Sequence, residues 1–193
     1  AGESTARPSP MAPAIGDVRA AIAATLGSTL VLHRRFKATT VLEDIATHKA
    51  TAVVVVPGML SRMLDALETM DPKPDLSSLR IVFVSGSQLG AELATRAMKD
   101  LGPVVYNLYG STEVAFATIA RPEDLKRNPA TVGPVVRGAK VKILDDHGGE
   151  LPQGQVGRIF VGTPMPFEGY TGGGNKQVID GLLSSGDVGY FDA

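Results

Sequence analysis

The sequence contains no cysteine. That excludes a disulfide, a zinc–thiolate site and a cysteine nucleophile, and it fits a reducing, cytoplasmic setting. No apolar run approaches the ~18 residues that a membrane-spanning helix needs, so no transmembrane segment is expected. The first residues lack a charged region followed by an apolar stretch, so no signal peptide is expected either. Neither sign of charge dominates. Lys plus Arg number 19 and Asp plus Glu 20, which gives no electrostatic case for nucleic acid or an anionic membrane. The histidines His33, His48 and His147 share no metal-ligand spacing and read as surface or packing residues. Ser111 and Ser185 lie in no Gly-x-Ser-x-Gly motif, which argues against a hydrolase nucleophile.

What is present is an ordinary globular mix over 193 residues, with 44% hydrophobic and 20% charged, enough for an α/β domain with a smaller annex. Residues 1–16 carry three prolines and read as a loop or a disordered lead-in. From Asp17, Val18, Ile22 and Leu26 have helical spacing, with Gly27 closing the helix. Thr29 to Leu32 is a short β-like run. Thr40 and Glu43 have the spacing of a capping box ahead of a helix through Lys49. Thr51–Val56 and Arg80–Val84 are apolar runs without alternation, as in strands buried on both faces. Met59, Met63, Leu64 and Leu67 mark a helix that Pro72 and Pro74 end. Leu89, Leu93 and Ala97 mark another that ends at Gly102. Val104–Leu108 is a third strand. This alternation predicts an α/β fold with a largely parallel sheet and flanking helices over 17–133. After Gly133, Val141–Leu144 and Gly157–Val161 flank the turn Asp145–Gly149, so 134–193 is expected to be a small antiparallel, barrel-like β-rich unit.

Ligands of open parallel sheets bind beyond the carboxyl ends of strands. Two polar turns follow strands here: Ser85-Gly86-Ser87-Gln88 and Tyr109-Gly110-Ser111-Thr112-Glu113. In the second, Tyr109 offers a flat face for a purine and Gly110 permits close backbone approach. Ser111 and Thr112 supply hydroxyls, and Glu113 a carboxylate of the kind that holds Mg²⁺ beside phosphates. The same residues also read as a strand-ending turn whose hydroxyls cap the backbone.

Asn107 and Tyr109-Gly110-Ser111-Thr112-Glu113 resemble the Tyr-Gly-x-Thr-Glu motif of the adenylate-forming superfamily, which includes acyl-CoA synthetases, luciferases and nonribosomal adenylation domains. Ser85-Gly86-Ser87 resembles the family's Ser-Gly-Ala turn. Ser185-Gly186-Asp187 resembles its Thr-Gly-Asp, and Gly157-Arg158-Ile159 through Glu168-Gly169-Tyr170 the segment before it. Thr131–Pro134 falls at a family Gly-Pro turn. Pro10-Met11 and Gly16 align with Pro-Met-Phe-His-x-x-Gly, Ala12 and Pro13 standing for the Phe and His. Within the family, Leu32–Phe36 and Val56-Pro57 look most like fatty acyl-CoA synthetases.

The resemblance implies that Tyr109 stacks on adenine and that the backbone of Ser85, Gly86 and Ser87 lines the adenine edge. Asn107, Gly110 and Ser111 complete the nucleotide site. Asp187 accepts bonds from the ribose hydroxyls. Thr112 contacts the α-phosphate and Glu113 holds Mg²⁺, these two being the catalytic pair. Gly110, Ser111 and Val114 border an acyl pocket. The implied reaction uses ATP to activate a fatty or other carboxylic acid as acyl-AMP and then transfers the acyl group to CoA. The family's phosphate loop and its C-terminal domain with the catalytic Lys are not among these residues, so this stretch is expected not to turn over alone. A noncatalytic nucleotide-binding module and an inert structural fragment are the other readings. Apolar faces left uncovered are expected to produce a homodimer or poor solubility.

Overall fold

The computed structural model describes residues 4–8 (backbone only), 25–164 and 176–192. Residues 17–24 of the helix expected from Asp17 to Gly27, the Pro10–Gly16 match, Glu168–Tyr170 and the run Gly172–Gly174 lie outside the described residues.

Strands β1 (Ser4–Pro8) and β2 (Thr29–His33) precede helix α1 (Ala38–His48). Then come β3 (Ala52–Val55), α2 (Pro57–Thr69), β4 (Ile81–Val84) and α3 (Ala91–Leu101). Strand β5 (Val105–Ser111) leads to β6 (Ala115–Ala120) and α4 (Pro122–Arg127). The remaining strands are β7 (Lys140–Leu144), β8 (Gly157–Gly162), β9 (Val178–Ile179) and β10 (Leu182–Gly189). One sheet runs in the order β2-β1-β3-β4-β5-β6 and a second in the order β7-β8-β10-β9. Strands β1 to β5 pair in parallel, and the second sheet is antiparallel. The fold class is therefore the one expected: a mostly parallel α/β sheet followed by a curled antiparallel unit.

The chain forms two compact units, 1–108 with 120–133 and 109–119 with 134–193. The first is built around the sheet and its helices. Helix α1 buries Val41, Leu42 and Ile45, and α2 buries Leu60, Met63 and Leu64. Against them lie Val53, Val55, Val82 and Val84, all without solvent exposure. Pro57 at the first turn presets the φ that α2 needs. Two expectations are corrected here. Strands β3 and β4 alternate between buried and half-buried residues, because the helical core covers one face more completely than the other. The capping box of Thr40 and Glu43 does not form. Helix α1 begins at Ala38, so Thr40 lies inside it, and the flanking Lys37 makes no side-chain cap.

Residues 4–8, read as part of a loop, form strand β1. Its backbone pairs with β2 on one side and β3 on the other; ladder bonds on both edges outweigh the poor strand propensity of a Pro-flanked segment. Strand β6 and helix α4 were not expected at all. For α4 the signals were present: Pro122 at the first position, Glu123 and Asp124 in the first turn, and Lys126 and Arg127 in the last.

In the second unit, β5 runs three residues past its expected end, through Tyr109, Gly110 and Ser111. Thr112–Val114 reverse the chain into β6, a three-residue connection that admits only an antiparallel return. A β-carbon on Gly110 would stand 2.0 Å from the Ala115 carbonyl oxygen. The hairpin therefore requires glycine there for its own closure. Val114, Ala117 and Val161 form one small core with Tyr109, Val141, Ile159 and Leu183 packed against it. Leu144, Phe160 and Leu182 form another. Gly110→Ala is expected to destabilise the chain by about 1–3 kcal/mol or more, as an overpacked site whose neighbour is rigid backbone. A lowered urea midpoint checks this; an unchanged midpoint would show that the hairpin relaxes freely.

Candidate functional site

Strand β10 departs from register with β8 between Ser184 and Val188. Ser184 pairs with Phe160 and Val188 with Arg158, so Ser185, Gly186 and Asp187 together stand opposite Ile159 alone. Such bulges bend a strand and redirect side chains. Gly186 takes a φ of 91°, a conformation that costs glycine little. The Ser185 hydroxyl repairs the broken ladder. It donates to the Ile159 carbonyl at 3.1 Å and accepts the Asp187 N–H at 3.1 Å.

The bulge carries Asp187 to Tyr109. The Tyr109 hydroxyl donates to Asp187 Oδ2 at 2.8 Å, across 78 residues of sequence. Burial pushes the Tyr109 phenol up to about 12; its bond to Asp187 and the carboxylate's charge push the same way, and Ser185 pushes against them. The phenol is thus a neutral donor at neutral pH. One carboxylate oxygen is engaged, and an ionised carboxylate retains lone pairs for further donors. The ring itself is half-buried against the Val114–Ala117–Val161 core.

Beyond Tyr109, the Ser111 hydroxyl donates to Glu113 Oε2 at 2.7 Å and accepts the Glu113 and Val114 backbone N–H groups. Thr112 is exposed at the tip. On the other side of Glu113, the Lys176 ammonium lies 3.7 Å from Oε1 and donates to the Ser185 carbonyl at 2.7 Å. Tyr109, Ser111, Glu113, Lys176, Ser185 and Asp187 therefore form one linked set within the second unit. Val114 is only 2% exposed and its side chain is core. Glu113 with the neighbouring hydroxyls is a hard-oxygen donor set. One carboxylate suits Mg²⁺, which keeps most of its shell as phosphate and water. Among the described residues no group of three His, Cys, Asp or Glu could hold a metal, so an ion at Glu113 would complete its shell with water or phosphate.

Ser85, Gly86, Ser87 and Asn107 belong to the first unit. Ser85–Gln88 follow β4 directly, and Gly86, Ser87 and Gln88 are exposed. Gly86 has a φ of 99°. Asn107 is buried and donates to the Thr131 carbonyl at 3.1 Å, tying down the 128–133 turn. Two of the histidines are less scattered than their spacing suggests. His33 Nε2 lies 3.1 Å from Asp44 and His48 Nε2 lies 3.9 Å from it, because the end of β2 meets the helical face that Asp44 and His48 share. Sequence reasoning missed Lys176 and the structural use of the Ser185 hydroxyl; no local pattern marks either. Among the described residues no helix is long and apolar enough to cross a membrane.

Residues 3–171 match the family model described as AMP-binding enzyme. The chain is 30% identical over 172 residues to an uncharacterised acyl–CoA ligase, YhfT of Bacillus subtilis, a match covering 86% of this chain and 33% of the relative. Among solved structures, the amide bond synthetase McbA from Marinactinospora thermotolerans is similar with a TM-score of 0.87 and 34% identity, over 100% of this chain and 40% of that one. The o-succinylbenzoate coenzyme A synthetase of Bacillus subtilis, solved in complex with AMP, matches with a TM-score of 0.81 and 25% identity, over 98% of this chain and 39% of that one. The chain thus spans about a third of the length of the curated relative.

In an alkaline titration at 295 nm, the difference between the native chain and Tyr109→Phe should show a phenol ionising near about 12. Asp187→Asn should lower that transition, since the negative charge is lost, yet leave it above the ordinary value of about 10. A Tyr109 transition unaffected by Asp187→Asn would mean that the two side chains do not meet.

Proposed function

We propose that this chain, which belongs to the AMP-binding enzyme family, supplies the nucleoside-holding part of an adenylate-forming acid–CoA ligase. The observation that carries this is the Tyr109–Asp187 hydrogen bond, which sets an aromatic ring and a carboxylate side by side. A flat π face suits adenine. A carboxylate beside it suits the paired hydroxyls of a ribose. Thr112, at the exposed tip of the same hairpin, is assigned to the α-phosphate. Glu113, held by Ser111, is assigned to Mg²⁺. From the first unit the reading takes the backbone of Ser85, Gly86 and Ser87 for the adenine edge, with Asn107 as the brace of its own turn.

In the whole enzyme a substrate carboxylate oxygen attacks the α-phosphorus of ATP, forming acyl-AMP as pyrophosphate leaves. The CoA thiol then attacks the acyl carbon, losing its proton, and AMP leaves. What these residues contribute is position and charge: ring and carboxylate fix the nucleoside, and the Thr112 hydroxyl meets the phosphate. Bound Mg²⁺ would neutralise phosphate charge. The proposed acid is fatty, on the likeness of Leu32–Phe36 and Val56-Pro57 to fatty acyl-CoA synthetases, with Gly110, Ser111 and Val114 bordering the acyl chain. Val156, Val188, Tyr190 and Phe191 are exposed apolar residues of the second unit, and they support the proposal that the isolated chain self-associates. A cytoplasmic setting is proposed from the lack of cysteine.

Calorimetry with AMP tests the site. Asp187→Ala is expected to weaken binding at least about tenfold, the equivalent of one charge-assisted hydrogen bond. Tyr109→Ala should cost a further stacking contact of about 1–3 kcal/mol, while Tyr109→Phe keeps the ring and most of the affinity. The chain alone should bind AMP without forming acyl-CoA from ATP, acid and CoA. Absent binding, or binding indifferent to Asp187, would defeat the reading.

A further inference from the structure

Lys176 has no part in the roles assigned so far, yet it touches both loops that have them. Its ammonium donates to the Ser185 carbonyl at 2.7 Å and lies 3.7 Å from Glu113 Oε1. Neither side chain is well solvated, Lys176 being 26% exposed and Glu113 15%. The second Glu113 oxygen is occupied by the Ser111 hydroxyl at 2.7 Å. The carboxylate is therefore gripped on both sides, by a neutral donor and by a cation.

We propose that Lys176 is the resident counter-cation of Glu113, which a divalent cation arriving at that carboxylate must displace. The proposal rests on Glu113 being the cation-binding carboxylate of the preceding section. A divalent ion bound to a carboxylate sits about 2.0–2.1 Å from the oxygen when it is Mg²⁺. An ammonium 3.7 Å from the same oxygen cannot keep its place beside it without strong repulsion between two positive charges. Partial burial removes the water that would screen them. The carbonyl of Ser185 makes the exchange workable. Lys176 leaves Glu113 but keeps a hydrogen-bond partner on the bulge, so its charge is not stranded. With no divalent ion present, the same ammonium keeps the Glu113 carboxylate aimed and ties the hairpin tip to the loop that carries Asp187. Arrival of the metal would then release that tie at the moment the nucleotide takes over holding both loops.

The test uses Mn²⁺ alone, titrated into the ¹⁵N-labelled chain. The readout is paramagnetic broadening of the Ser111, Thr112 and Glu113 amide signals. Glu113→Gln should abolish the local broadening. Lys176→Met and Lys176→Gln should each lower the Mn²⁺ concentration at half-broadening at least threefold, whereas Lys176→Arg, which keeps the charge, should stay near the native value. Unchanged amide dispersion elsewhere shows that each variant folds. A half-broadening concentration unchanged or raised in both neutral variants overturns the proposal. So does the absence of local broadening in every protein, because Glu113 would then be no cation site for Lys176 to guard. A parallel AMP titration without metal separates the two ideas. AMP binding with no Lys176 effect removes only the counter-cation, and a Lys176 effect without AMP binding removes only the nucleoside site.

Discussion

Where β10 leaves its register with β8, three residues stand opposite one, and the chemistry of the second unit depends on that break. A regular strand would alternate Ser185, Gly186 and Asp187 between the two faces of the sheet. The bulge instead gathers them into a projecting turn. Its components are interlocked. Gly186 supplies a left-handed φ, and the Ser185 hydroxyl replaces ladder bonds that the bulge gives up. Lys176 holds the Ser185 carbonyl from outside. The result is an aspartate whose carboxylate reaches a tyrosine on a different hairpin.

Fold and function make different demands on these residues. Gly110 is required by the close approach of β6 whatever binds nearby, and Val114 is core. Asn107 spends its amide on Thr131. For these three the structure alone gives a sufficient reason. Tyr109, Glu113 and Asp187 are different. Each presents a polar group at the margin of the second unit, in hydrogen bonds that would add only about a kcal/mol apiece to stability. Asp187 could be any small polar residue as far as the strand is concerned. Its value lies in what the carboxylate can accept from a ligand beside an aromatic face.

Much of the scaffold was readable because its signals are local. Apolar runs marked β3 and β4, the Met–Leu spacing marked α2, and Gly102 stopped α3. Other features escaped because they depend on distant partners. Strand β1 exists through ladders on both sides and has no pattern of its own. The capping spacing at Thr40 was a true local motif overruled by an earlier helix start. Strand β6 was hidden because the hairpin that forms it looked like the end of β5. The site divides in the same way. Tyr109–Glu113 and Ser185–Asp187 could be picked out by resemblance, but no rule of spacing joins residues 78 positions apart. Lys176 lies in an undistinguished stretch and gains meaning only from the two oxygens near its ammonium. Family membership accounts for the order of motifs. Relatives that share these motifs differ in the acid their names carry, o-succinylbenzoate in one, so the fatty-acid reading rests on Leu32–Phe36 and Val56-Pro57 instead.

The most direct measurement is a crystal structure of the chain soaked with AMP. The account predicts the adenine lying flat against the Tyr109 ring, with the ribose hydroxyls donating to Asp187 and the phosphate near Thr112. AMP bound at another place, or a nucleoside that leaves the Tyr109–Asp187 pair untouched, would contradict it.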